Sequence, residues 1–128
     1  MKNIKKVLIV CTGNSCRSIM AEGYLVKRLK DLGMSHIIVI SSGVAAIPGL
    51  APTKETIQVV AEEAIDVSGY ASSSLNKTYI ENADVILVME ERHKEVIVGM
   101  VPEAEGKIHL LRDFSSEKNQ WKHYIDDP

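Results

Sequence analysis

The residues VLIVCTGNSCRS, Val7–Ser18, hold a strand, a tight loop and a helix start within twelve positions. Val7–Val10 is an unbroken aliphatic run, the pattern of a parallel strand buried on both faces. Cys11 ends it. Gly13, Asn14 and Ser15 then supply a loop, because Gly and Asn tolerate the positive φ that a tight reversal needs. Arg17 follows Cys11 by six positions, and Ser18 opens an amphipathic segment. A loop running from a strand into a helix gathers backbone N–H groups and the positive end of the helix dipole on one point. Thr12, Gly13, Asn14, Ser15, Cys16, Arg17 and Ser18 are therefore the expected cradle for phosphate or a similar oxyanion. Arg17 adds a planar, permanently charged fork matched to two oxygens. The same field favours Cys11 as its thiolate, with the Ser18 hydroxyl as a donor to sulfur. In-line attack of that sulfur on phosphorus gives a phosphocysteine for water to hydrolyse.

Beyond this stretch, aliphatic runs alternate with helical patterns. Ser18–Leu32 reads as a helix with Met20, Tyr24 or Gly23, Val26/Lys27 and Leu29 on its apolar stripe and Gly33 as its stop. His36–Ser41 is a second strand. Thr53 can cap a helix to about Ala64, with Ile57, Val60, Ala61 and Ala64 on one face. Asn76–Ala83 is a short helix and Val85–Met89 a third strand. Glu90–Met100 is a helix with Val96, Ile97 and Met100 inward, and Lys107–Leu111 is a fourth strand. Arg112–Tyr124 is polar and irregular. Such alternation implies an α/β fold of three layers, a four-stranded parallel sheet with helices on both faces. With right-handed crossovers, a flavodoxin-like order 2-1-3-4 puts strand one in the sheet interior and Cys11 at the switch-point crevice.

Composition sets the limits. The 128 residues suit a single domain spanning 1–128, and 45% hydrophobic content can fill one core. A net charge of −2 argues against a nucleic-acid or membrane-surface partner. No apolar run approaches the roughly 20 residues of a membrane span, and Val7–Cys11 is too short for a signal-peptide core, so a cytoplasmic protein is expected. The two cysteines, five positions apart, cannot staple distant parts of a fold. Cys16 reads as a small buried hydrophobe or as the redox partner of Cys11. His36, His93, His109 and His123 lack metal-ligand spacing; each reads as a surface or strand-end residue, and no metal or cofactor is expected. Glu90–Lys94 reads as a solvated helix start. A phosphocysteine mechanism also needs an acid for the leaving group and a base for water. His93, His123, Asp126 and Asp127 are the candidates, and Pro128 biases Asp127 to an extended loop that can overhang a pocket.

VCTGNSCRSIMAEG, residues 10–23, closely resembles the signature of the low molecular weight protein tyrosine phosphatases. Ser41-Ser42-Gly43 resembles the family's Ser-Ala-Gly after strand two. Ala83-Asp84, VILVM and Arg92-His93 resemble its third strand and next helix, and Asp127-Pro128 its Asp-Pro motif. The resemblance runs over residues 4–128. It implies Cys11 as nucleophile, Arg17 as phosphate clamp, Ser18 as thiolate stabiliser, Asn14 as loop-shaping residue and Asp127 as acid. It also implies a protective disulfide between Cys11 and Cys16, and a phosphorylated protein or peptide as substrate. Asn14, Ser41 and Tyr70 are the expected loop support, Tyr70 aligning with a family histidine that buttresses the loop Asn. Ile19 replaces a usual Pro. Ala46 and Ile47 fall in the substrate-recognition loop, which lacks the family's aromatic wall. The chain stops at Pro128, short of the family's last helix, so an apparent truncation or self-association over that face is expected.

Ser15 bears on substrate choice. Tyrosine-directed members carry a bulky aliphatic residue there, whereas bacterial protein-arginine phosphatases carry Thr. Phosphotyrosine is the first expectation and phosphoarginine the second. Thioredoxin-linked arsenate reductases share the loop, but they need resolving cysteines near the third strand, and residues 85–100 contain none. A phosphate-binding module without catalysis is the remaining alternative.

Overall fold

The computed structural model describes residues 4–14 and 16–111. The elements are β1 (Lys6–Cys11), α1 (Arg17–Asp31), β2 (Ile38–Gly43), α2 (Lys54–Ala61), α3 (Lys77–Asn82), β3 (Val85–Val88), α4 (Glu91–Met100), a 3-10 turn (Pro102–Lys107) and β4 (Ile108–Leu110). The four strands form one parallel sheet in the order β2-β1-β3-β4, as the alternation of runs implied.

Strand pleating divides β1 between two cores. Val7, Ile9 and Cys11 face a layer with Ala21, Leu25 and Leu29 of α1. Leu8 and Val10 face the opposite layer, with Ile80 of α3, Ile97 of α4 and Ala104 of the 3-10 turn. Both sides of β1 are therefore dry, which is why its run is continuous rather than alternating. Each fully buried aliphatic side chain, Leu8, Ile9 and Val10 among them, contributes about 1.5–3 kcal/mol. A third cluster joins Ile19 and Met20 of α1 to Val60 of α2 and to Ile65 and Val67.

Several boundaries move from their expected places. The second strand is Ile38–Gly43, not His36–Ser41, because its register on β1 pairs Lys6 with Ile38 and Cys11 with Gly43. On α1 the buried face is Ser18, Ile19, Met20, Ala21 and Gly23. On α4 the inward residues are His93 and Ile97; Val96 is exposed. Thr53 and Asn76 cap α2 and α3, each accepting a backbone N–H of the first turn.

The register decides the site. Cys11 pairs with Gly43 across one edge of β1, and Val10 with Val88 across the other. The ends of β2 and β3 thus flank the loop after Cys11. Val44 N–H donates to the Cys11 carbonyl and Ala45 N–H to the Thr12 carbonyl, each at 2.9 Å. This approach leaves no room for a side chain at residue 43. A Cβ there would lie 2.4 Å from the Thr12 carbonyl oxygen and 3.1 Å from the Asn14 nitrogen, both backbone atoms. Gly43→Ala is expected to cost about 1–3 kcal/mol, towards the upper end because backbone must shift. Gly69→Ala, where a Cβ meets nothing within 4 Å, is expected to stay within about 0.5 kcal/mol of the parent. Urea unfolding midpoints of the two variants check this.

Candidate active site

Cys11 closes β1 with only 3% of its surface exposed, and the chain turns at once around its sulfur. Asn14 makes the turn at φ 54, the positive value that its side chain tolerates. Its N–H donates to Cys11 Sγ at 3.0 Å, and Ser18 Oγ lies 2.8 Å from the same sulfur. Arg17 and Ser18 open α1, whose N-cap position, Cys16, makes no side-chain cap bond. The first-turn N–H groups of α1 are thus free of a competing side-chain cap at the loop.

The Asn14 amide is buried and fastens the loop on three sides. Its Nδ2 donates to Ser18 Oγ at 2.7 Å and to Ser41 Oγ at 2.8 Å. Its Oδ1 accepts the Ser73 N–H at 2.8 Å, which fixes the amide orientation. Ser41 Oγ, taking one proton from Asn14, sends its own to Glu22 Oε1 at 2.6 Å. Ser18, likewise an acceptor from Asn14, has its proton left for the Cys11 sulfur in the thiolate form. Asn14 and Ser41 thus share one hydrogen-bonded network with Ser18 and Glu22. Tyr70 packs against the cluster of Ile19, Met20, Val60, Ile65 and Val67, and burial, then the nearby Glu22 charge, raise its phenol above the usual range. Ser73 and Glu22 complete the network. The serine run 72–74 reads as a linker in sequence, and only the bridge from Gly43 to Ser74 carries it to the loop.

Burial raises the Glu22 carboxyl above its ordinary range, and the Ser41 hydrogen bond opposes that shift. A carboxyl with a raised folded value favours folding most when protonated. Its stabilising contribution is present below the unfolded value and is lost as pH rises through the folded one. Gln at this position can still accept the Ser41 proton.

The β3–α4 junction forms the other wall, and here the structure overturns one expectation. His93 is fully buried rather than at the surface, while Glu91 and Arg92 stay exposed as a solvated helix start implies. Glu90 N–H donates to His93 Nδ1 at 3.1 Å, so the neutral ring carries its proton on Nε2 and donates it to Thr12 Oγ1 at 2.9 Å. Desolvation, then the neighbouring Arg92 charge, hold the His93 value below the usual histidine range, which keeps the ring neutral. Arg92 Nη2 donates to the same Thr12 oxygen at 2.9 Å. Glu90 accepts from Arg17 Nη2 at 3.2 Å on one oxygen and from Arg92 Nε at 2.7 Å on the other. Arg92 and then Arg17 keep its carboxyl below the usual range, opposed by partial burial. One signal for this wall was available in sequence. In the order 2-1-3, residues that follow strand three emerge beside those that follow strand one.

The remaining expected residues are dispersed. Cys16 Sγ lies 3.7 Å from Thr53 Oγ1, and Cys11 and Cys16 are not joined by a disulfide. Ala46 lies beside Gly43, and Ile47 is 66% exposed on the following loop. Ser15, His123, Asp126 and Asp127 lie outside the described residues. Among the described residues, no group of three or more His, Cys, Asp or Glu is placed to hold a metal, and no helix is long and apolar enough to cross a membrane.

A family model for low molecular weight phosphotyrosine protein phosphatases matches residues 6–128. The chain belongs to this family. The Escherichia coli K12 low molecular weight protein-tyrosine-phosphatase Wzb is 33% identical over 111 residues, covering 87% of this chain and 72% of its own. A protein-arginine-phosphatase of Geobacillus stearothermophilus is 36% identical over 111 residues, with the same two coverages. Vibrio vulnificus Wzb, solved with benzylphosphonate, superposes with a TM-score of 0.83 at 30% identity, over 97% of this chain and 91% of that one. The phosphatase family is thus shown by motif, by fold and by relatives of two named substrate classes. In α1, Glu22→Gln is expected to flatten the fall of stability towards neutral pH relative to the parent. Urea midpoints measured from the carboxylate range up to pH ~8 check this; parallel curves would exclude Glu22 as its source.

Proposed function

We propose that the protein hydrolyses phosphotyrosine in protein or peptide substrates through a phosphocysteine on Cys11. The observation that carries this reading is the environment of one atom. Cys11 Sγ faces the Asn14 N–H and the Ser18 hydroxyl at the start of α1, Ser18 directly following Arg17. Both groups can donate hydrogen bonds to a sulfur that attacks phosphorus. In the first step the thiolate forms a bond to phosphorus while the phosphorus–oxygen ester bond breaks. The leaving oxygen takes a proton from Asp127. In the second step Asp127 accepts a proton from water as water attacks phosphorus. The phosphorus–sulfur bond breaks, and inorganic phosphate and thiolate are restored. Thr12, Gly13, Asn14, Ser15, Cys16 and Ser18 cradle the phosphoryl oxygens with their backbone, and Arg17 clamps two of them. The role of Asp127 rests on the Asp-Pro resemblance. A reducing cytoplasm would keep Cys11 competent.

Phosphoarginine is the second reading. It is favoured by the arginine-phosphatase relative, by the small hydroxylated Ser15, and by a 44–47 loop without an aromatic wall. A reductase reading has no support, because Cys11 and Cys16 are the chain's only two cysteines.

Cys11→Ser is expected to abolish turnover of p-nitrophenyl phosphate. Asp127→Ala is expected to slow hydrolysis most for aryl phosphates with poor leaving groups, roughly 10²–10⁴-fold, the range for general acid catalysis. Equal slowing across a leaving-group series would remove Asp127 from this role. Matched phosphotyrosine and phosphoarginine peptides decide the substrate. The expected result is a higher kcat/KM for phosphotyrosine, and a Ser15→Ile exchange is expected to widen the preference.

A further inference from the structure

The β3–α4 junction does more than border the loop. Thr12, Arg92, Glu90 and His93 form a closed ring. Arg92 donates to Thr12 Oγ1 and to Glu90 Oε1, the Glu90 backbone donates to the His93 ring, and His93 meets Thr12 again. The ring leaves Glu90 Oε2 as the atom that meets Arg17. Arg92 is the most exposed of the three charged groups at this junction, with its side chain 60% accessible against 40% for Glu90 and 26% for Arg17.

One carboxylate thus stands between two guanidinium groups. A bound phosphate dianion must compete with it for Arg17. Arg92 limits that competition by occupying Oε1, so that Glu90 offers Arg17 a single oxygen at 3.2 Å rather than a two-oxygen fork. We propose that Arg92 is a positioning residue for phosphate capture: it limits Glu90 to a single-oxygen contact with Arg17 and ties that carboxylate to Thr12. This rests on the reading of the Cys11–Ser18 loop as a phosphoryl site. Arg92 is not assigned contact with the reacting atoms.

Two alternatives make different predictions. If Arg92 merely adds positive charge near the loop, its removal weakens phosphate binding equally whether Glu90 is present or not. If it restrains Glu90, its removal matters only while the carboxylate is there. A double-mutant cycle on the full chain separates them, with inorganic phosphate as the probe and calorimetric affinity as the readout. Arg92→Gln is expected to weaken phosphate about 10-fold, the effect of ~1.4 kcal/mol. In the Glu90→Gln background the same change is expected to alter affinity less than 2-fold. Arg92→Lys, which keeps the charge but not the fork, is expected to lose more than about 3-fold. With p-nitrophenyl phosphate, Arg92→Gln is expected to raise KM while kcat stays within 2-fold, the pattern of lost uniform binding. Unchanged melting temperatures exclude misfolding as the cause. Equal losses in both backgrounds, or full affinity in Arg92→Lys, would overturn the restraint while leaving the phosphatase reading intact. Failure of the parent protein to bind inorganic phosphate would overturn the phosphoryl site itself and the restraint with it.

Discussion

The buried amide of Asn14 is the constraint on which the site depends. It stands at a positive φ in a loop with no regular secondary structure, 1% exposed, so its polar atoms must find partners within the protein. They find them on three separate segments: Ser18 at the start of α1, Ser41 in β2 and Ser73 in the segment bridged to Gly43. Losing any one leaves a buried group unsatisfied, a cost of about 1–3 kcal/mol. The same residue's backbone N–H meets the Cys11 sulfur. Fastening the loop and presenting donors to the sulfur are therefore one arrangement. Glu22 completes it at a distance, since its carboxylate is the terminal acceptor that sets the direction of the Ser41 proton.

The loop is held between two walls of different chemistry. On the β2 side the contacts are neutral: backbone bonds from Val44 and Ala45, serine hydroxyls, and a glycine whose missing Cβ allows close approach. On the β3 side they are charged, with Glu90 shared between Arg17 and Arg92 and a neutral His93 on Thr12. The neutral wall gives rigid placement to the sulfur. The charged wall acts on Arg17, which the proposed reaction assigns to the phosphoryl group. In the proposed reaction, dipoles around the sulfur and an ion pair on Arg17 would suit a site that binds and releases phosphate.

The local sequence was informative wherever a short stretch carried its own physical signature. The Val7–Val10 run announces a strand dry on both faces, Gly13-Asn14 the reversal, and the α1 start the oxyanion cradle. The alternation of runs and helical patterns was enough for the sheet order. It failed for His93 and Val96, because helical periodicity identifies a face but not which polar residue the fold will bury on it. It also failed for β2, whose ends were set by pairing with β1 rather than by its own apolar residues.

What the sequence by itself determined was the strand–loop–helix unit, its Cys11 and Arg17, and the family to which the chain belongs. These depend on neighbours within a few positions, where backbone preference and spacing are legible. What only the tertiary structure decided was the company that unit keeps. Glu22, Ser41, Ser73, Glu90, Arg92 and His93 reach it from up to 81 positions away, through parallel pairing that sets the ends of β2 and β3 beside the end of β1. Register is a property of the assembled sheet, and hydrogen bonds between residues so far apart in the chain exist only once that sheet has formed.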